Sequence, residues 1–150
     1  CGAGANYGTA LESALKMGET IHIPSCCYEI EEYIHGPNLQ LTPQYNVIFF
    51  DGNDGASRRV EQVYKATRKV SNRAYLISNN PQLSSDDHVL SLSDTVSSEL
   101  CPLVYLPFVQ LLSFIVSNDL HSIYQHPLLK EFKAIAAAKT ENFVNYDGDD

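Results

Sequence analysis

Three side chains that can move protons lie close together in the N-terminal part of the sequence: Lys16, Glu19 and His35. A carboxylate can take a proton from a carbon next to a carbonyl group, and an imidazole, which titrates near neutral pH, can act as the complementary acid. Lys16 and Glu19 are spaced to share one face of a helix. An exposed ion pair would explain that spacing, and a cap at a helix end would explain His35, so the local sequence leaves both interpretations open.

A second feature that could bind a ligand is the glycine-rich start of the chain, which contains Gly2, Gly4 and Asn6. Such a run normally follows a strand and opens a helix, where free backbone N–H groups can face an anion. A tight turn between a strand and a helix explains the same residues. Because the sequence starts without Met and without a leading strand, we expect that a strand, or a strand together with a whole domain, precedes Cys1.

Composition excludes several classes of function. The net charge of -8 and the pI of about 5.0 argue against binding to nucleic acid or to an anionic membrane. The longest apolar stretch, residues 103–116, is interrupted by Pro107 and Gln110 and is too short to span a bilayer. The histidines outside position 35 show no ligand spacing, which predicts no metal site. Adjacent Cys26 and Cys27 suit neither a disulfide nor a metal site, and they indicate the reducing cytoplasm.

The elements that must position these residues follow from periodicity and from breaks. Apolar residues with helical spacing predict helices, and short apolar runs predict strands that are buried on both faces. Predicted helices cover residues 6–18, 28–34, 57–70, 98–118 and 127–138, and predicted extended segments cover residues 20–24, 46–50, 74–78 and 88–92. Asn6 is the expected N-cap of the first helix, and Pro107 is expected to kink the fourth.

This order of elements predicts an α/β fold. Alternating strands and helices with apolar strands imply a three-layer, Rossmann- or flavodoxin-like domain, in which helices flank a parallel sheet whose first strand is truncated. Ligands in such sheets bind beyond the carboxyl ends of the strands. We expect residues 2–4, 16–19 and 31–37 to lie at that edge.

The segment 7–37 resembles a known family. It contains Ala-Leu-Glu at 10–12, Ala-Leu-Lys at 14–16, then Glu19 and His35-Gly36-Pro37. In these runs it is similar to the C-terminal SIS (sugar isomerase) domain of double-SIS proteins. Those proteins include the isomerase half of glucosamine-6-phosphate synthase and the deglycases of fructosamine 6-phosphates. The resemblance continues through Asn80 and through Gln110-Leu111-Leu112 in the long helix.

The resemblance implies a role for each matching residue. Glu19 matches the general base that moves a proton between C1 and C2 of an open-chain sugar phosphate. His35 matches the histidine that opens the ring or acts as the acid, often across a subunit interface, and Lys16 matches an assisting lysine. Lys139, with Lys133 as the alternative, matches a lysine that closes over the sugar. Glu32 is retained three residues before the histidine and, with the glycine-rich start, is expected to contact the substrate.

The resemblance also implies an activity and partners. The run Glu-Tyr-Ile-His-Gly-Pro at 32–37 is closer to the deglycase pattern, which favours cleavage of fructosamine 6-phosphates. The alternatives are an isomerase of the amino-sugar synthase type, a phosphosugar sensor without turnover, and a structural dimerisation domain. Residues 1–144 would form the SIS domain and 145–150 an acidic tail. The family needs no cofactor, forms homo-oligomers, and takes its phosphate site from the N-terminal SIS half, so that this segment alone is expected to bind phosphosugar poorly.

Overall fold

The computed structural model describes residues 1–92, 96–122 and 129–136. In chain order it contains helices α1 to α5 and strands β1 to β3. Their bounds are α1 Ala5–Ile21, α2 Ile30–Ile34, β1 Val47–Asp51, α3 Ser57–Arg68, β2 Ala74–Ser78, β3 Val89–Ser91, α4 Cys101–Asp119 and α5 Leu129–Ile135. Two 3-10 turns, Pro37–Gln40 and Pro81–Leu83, follow α2 and β2.

The sheet is parallel, with the strand order β1-β2-β3. Phe49 of β1 lies opposite Leu76 of β2, which in turn lies opposite Val89 of β3. Gly2 extends the sheet beyond β1, because it forms parallel bridges to Phe50 on one side and to Glu29 on the other. The α/β fold with a parallel sheet flanked by helices is therefore confirmed.

Side chains alternate along the strands and so divide the core into two layers. Val47 and Phe49 of β1 face α2 and α3, where Phe49 meets the Tyr33 ring edge-on at 5.9 Å between centroids. Ile48 and Phe50 face the other way, toward α1 and α4. The helix pair α1 and α4 therefore covers one face of the sheet, and the pair α2 and α3 covers the other.

The first helix differs from its prediction at both ends. Gly4, with a φ of 55°, is its N-cap, so that the expectation of a cap at Asn6 is wrong. A left-handed backbone suits glycine, whereas Asn6 lies inside the helix and is buried. Thr20 and Ile21, predicted to be extended, form the last turn of α1, and His22 ends the helix with a φ of 61°.

The long apolar helix α4 continues through Pro107. By length and composition, α4 is the one helix among the described residues that could cross a membrane, which is weak evidence because core helices pass the same test. Two hydrogen bonds fasten this part of the chain to the rest of the fold: the Tyr105 hydroxyl group donates to the Asp51 carbonyl oxygen at 2.6 Å, and Ser122, just beyond the helix, donates to the Thr20 carbonyl oxygen at 2.6 Å. The predicted boundary between residues 144 and 145 lies outside the described residues.

Candidate functional site

Lys16 and Glu19 meet on the last two turns of α1. Lys16 Nζ lies 2.7 Å from Glu19 Oε2 and 3.6 Å from Glu12 Oε1, as expected for charges three and four residues apart. The hydrogen bond to Glu19 raises the pKa of Lys16, so Lys16 stays protonated beside that carboxylate at neutral pH. The Glu19 side chain is half exposed, which leaves its carboxylate accessible to a ligand.

His35 caps the C-terminal end of α2 through its backbone. Its N–H donates to the Glu32 carbonyl oxygen at 3.1 Å, while its imidazole ring is exposed. Glu32 in turn belongs to a capping box, because its Oε2 accepts from the backbone N–H of Glu29 at 3.4 Å. The helix-cap interpretation therefore accounts for the backbone of His35, whereas the imidazole ring takes no part in the cap.

The structure places Glu19 and His35 on opposite sides of the sheet. Glu19 belongs to α1, which packs beside α4, whereas His35 ends α2, which packs on α3. A paired acid and base on one side of a single chain is therefore not what this fold provides. Sequence spacing alone does not reveal this separation, because it does not show which face of the sheet each helix covers.

The expected position of the Lys16–Glu19 pair at the carboxyl ends of the strands is wrong. The first residues of α1 lie at that edge, where the Asn6 amide group approaches Gly52 directly after β1. The seventeen residues of α1 then run about 25 Å, at 1.5 Å per residue, along the five-residue strands. Glu19 accordingly lies toward the amino ends of the strands.

The glycine-rich start is occupied mainly by contacts within the protein. The Gly2 N–H donates to the Tyr28 carbonyl oxygen at 3.3 Å, so it is not free to bind an anion. A Cβ atom at Gly2 would collide with the Asn6 carbonyl group, which explains why glycine is needed there. Asn6 accepts from the Thr9 hydroxyl group at 3.3 Å, and Gly4 serves as the helix cap.

A buried polar cluster that sequence reasoning missed lies at the carboxyl ends of β1 and β2. Asp51 is fully buried; its carboxylate accepts from the Ser57 hydroxyl group, from the Ser78 hydroxyl group at 2.6 Å and from the Asn53 N–H at 3.0 Å. The sequence did contain one signal for this cluster, which is an aspartate at the end of an apolar strand. With a second carboxylate at Asp54 in the same loop, this edge disfavours an anion such as a phosphate group.

Lys139 lies outside the described residues, and Lys133 lies within α5. The part of the chain that the structure describes contains no group of three or more His, Cys, Asp or Glu residues arranged to hold a metal ion.

No family profile matches the chain. Among curated proteins, it is 31% identical over 122 residues to the isomerizing glutamine–fructose-6-phosphate aminotransferase of Methanothermobacter thermautotrophicus, a match that covers 79% of this chain and 20% of that protein. The chain spans about a fifth of the length of the curated relatives it matches.

Solved structures share the fold of this chain. The TM-score is 0.72 against a Clostridium difficile 630 chain provisionally assigned as a phosphosugar isomerase, with 21% identity over 92% of this chain and 38% of that one. It is 0.64 against the C-terminal domain of the Francisella tularensis glucosamine–fructose-6-phosphate aminotransferase, with 24% identity over 78% of this chain and 34% of that one. The fold is therefore that of the SIS domain. Within that class, the chain is homologous to the isomerase part of the glutamine–fructose-6-phosphate aminotransferases.

Proposed function

We propose that the chain is the catalytic module of a phosphosugar enzyme that moves a proton between C1 and C2 of a 6-phosphorylated ketosamine, with Glu19 as the base and His35 as the acid. The observation that carries this proposal is the accessible Lys16–Glu19 pair, in which the ammonium group fixes one carboxylate oxygen. A carboxylate held in this way presents its second oxygen to a substrate carbon, and Lys16 can stabilise the negative charge that develops on the neighbouring oxygen.

The separation of Glu19 and His35 supports a site completed between subunits. Because their helices cover opposite faces of the sheet, the acid that serves one Glu19 would come from His35 of another copy. The carboxylates of Asp51 and Asp54 at the strand edge support a phosphate site elsewhere, in an N-terminal SIS half of the protein. The enzyme would be a homodimer or a larger assembly in the cytoplasm.

The reaction that we favour is deglycation of fructosamine 6-phosphates, because residues 32–37 follow the deglycase pattern. The homology to aminotransferases favours a second candidate, isomerisation within an amino-sugar synthase. A phosphosugar sensor is the third, and it would have no need of an accessible base such as Glu19.

A matched pair of substitutions tests the base. In the full-length protein, Glu19→Gln should lower turnover by about 10²- to 10⁴-fold while leaving substrate affinity within a few-fold, because general-base catalysis contributes that much. Glu12→Gln is the control, since Glu12 contacts the same lysine from the preceding turn. The substrates are amino-acid and amine adducts of fructose 6-phosphate, with and without glutamine. Unchanged turnover in Glu19→Gln would refute the assignment.

The products separate the candidate reactions. Release of glucose 6-phosphate supports the deglycase, and glutamine-dependent glucosamine 6-phosphate supports the synthase instead. Tight binding without turnover supports the sensor.

Mixing two inactive variants tests the shared site. If the site lies between two subunits, equal amounts of Glu19→Gln and His35→Ala chains form mixed dimers with one intact site each, which restores about a quarter of wild-type activity. No recovery after verified subunit exchange would mean either that one chain supplies both residues of a site or that His35 does not belong to the site.

A further inference from the structure

A cavity of about 410 Å³ lies between α2, the turn Pro37–Gln40 and α3, on the opposite side of the sheet from α1 and α4. Its wall along α3 extends from Arg59 to Val70, just beyond the helix, over roughly 16 Å. The volume is within the range of ~300–1,000 Å³ that is typical of sites for small molecules. The proposed chemistry uses none of the side chains in this wall, so the cavity needs an explanation of its own.

The buried wall of the cavity carries polar groups. Tyr33 and Thr67 are 6% and 3% exposed, and their hydroxyl oxygens lie 3.4 Å apart, which is long for a hydrogen bond between hydroxyl groups. Each hydroxyl group can donate once and accept twice, so this one contact leaves most of their capacity unused. The side-chain oxygen of Asn38 is buried without a hydrogen-bond partner among the described residues. Because buried polar groups are normally paired, we expect a bound molecule to supply the partners.

The arrangement of polar and apolar groups favours a small molecule over a covering protein domain. The buried Val63 and, nearer the mouth, Ala66 and Val70 give the cavity an apolar lining around the two hydroxyl groups. Interfaces between proteins usually have an apolar centre and carry their polar groups at the rim. A few polar groups set deep in an apolar wall are instead typical of sites that orient a small ligand.

The charges around the cavity indicate an uncharged ligand. Among the described residues that line it, Arg59 is the one charged residue. Its Nε lies 2.6 Å from one carboxylate oxygen of Glu31 and its Nη2 lies 3.1 Å from the other, so these two charges neutralise each other. A charged ligand would lose its water without gaining an unpaired opposite charge. A hydroxyl group both donates and accepts, and so it can pair with an amide oxygen or with another hydroxyl group.

We propose that this cavity binds a small uncharged molecule that carries a hydroxyl group on an apolar ring or chain. The site does not depend on the proposed activity, because Glu19 and Lys16 lie on the opposite side of the sheet. A polypeptide segment from another domain is the competing occupant. Such a segment would close the cavity to small molecules in the full-length protein, which makes the two occupants distinguishable.

Three benzyl compounds test the ligand class in the full-length protein: benzyl alcohol, benzoate and benzylammonium. They share one ring and differ in charge and in hydrogen bonding. Saturation-transfer difference NMR at neutral pH should show saturable binding of benzyl alcohol, with a dissociation constant at least about 5-fold lower than that of either ion. Equal or tighter binding of an ion would overturn the proposal. So would the absence of saturable binding of benzyl alcohol up to about 20 mM, the affinity expected of a ligand of its size.

Matched substitutions locate the binding. Ala66→Trp fills the mouth of the cavity and should abolish binding of benzyl alcohol, whereas Ala134→Trp, on an exposed residue of α5 outside the cavity wall, should leave it unchanged. Val70→Trp replaces Ala66→Trp if circular dichroism of the latter shows loss of structure. Thr67→Val removes one hydroxyl group with little change of shape, and it should weaken binding of benzyl alcohol by about 2- to 10-fold. Wild-type affinity in the folded tryptophan variant, or in Thr67→Val, would overturn the proposal.

Discussion

The hydroxyl group of Tyr105 fastens α4 to the sheet, and its removal is the sharpest test of this packing. Tyr105 is fully buried; its hydroxyl group donates to the Asp51 carbonyl oxygen at 2.6 Å and also interacts with the backbone of Asn79. Tyr105→Phe removes one oxygen atom and leaves the ring, so that it creates almost no cavity. The substitution therefore isolates the hydrogen bond.

The expected cost follows from that environment. A buried carbonyl group that loses a side-chain donor costs about 1–3 kcal/mol, because burial keeps water from replacing the bond. For a chain of about 150 residues, each kcal/mol corresponds to roughly 2–4 °C in melting temperature. We therefore expect Tyr105→Phe to lower the melting temperature by about 2–12 °C.

Chemical denaturation and calorimetry of the wild type, Tyr105→Phe and Tyr75→Phe give the comparison. Tyr75 is 42% exposed on β2, so loss of its hydroxyl group should change the free energy of unfolding by less than about 0.5 kcal/mol. If Tyr105→Phe is as stable as Tyr75→Phe, α4 does not lie on the sheet as described.

Two further predictions concern titratable groups. The backbone N–H of His88, at 2.9 Å, and then the Tyr64 hydroxyl group lower the pKa of Asp86. The stabilisation by the Asp86 carboxylate is therefore complete above the pKa of about 3.9 in the unfolded chain, and it is lost as the pH falls through the lower pKa of the folded protein. In Asp86→Asn, the free energy of unfolding from urea denaturation should therefore fall less steeply as the pH is lowered than it does in the wild type. An equal fall in the two proteins would contradict this. Burial raises the pKa of the Cys101 thiol group, whereas Cys26 is exposed. A thiol reagent at pH 8 should label Cys26 at least about 100-fold faster in the native protein, a difference that denaturant removes; equal native rates would refute it.

The sequence predicts the sheet better than it predicts the helix ends. Three strands appear at or next to their predicted positions, because an apolar run that is buried on both faces has few alternatives. The end of α1 was missed because Thr20 and Ile21 are β-branched and favour extended structure in isolation. In the folded chain Ile21 is buried and Ser122 binds the Thr20 carbonyl oxygen, and these contacts outweigh local preference.

The candidate site shows a different limit. The spacing of Lys16 and Glu19 predicts their contact, because a helix fixes the geometry of residues three apart. The same sequence does not show that His35 lies on the opposite side of the sheet from Glu19, since that depends on the face on which each helix packs. Asp51 was missed for a similar reason: its partners Ser57 and Ser78 come from elements that meet only in the folded chain.

The placement of α1 and α2 on opposite faces has a consequence for symmetry. A site completed by His35 of another copy joins the α2 side of one subunit to the α1 side of its neighbour. If a twofold axis relates the two copies, two such sites form together and the dimer is closed. A head-to-tail arrangement would instead form a ring or an open filament. The handedness of the βα connections, which decides the face that each helix covers, would then also influence whether the particle is finite.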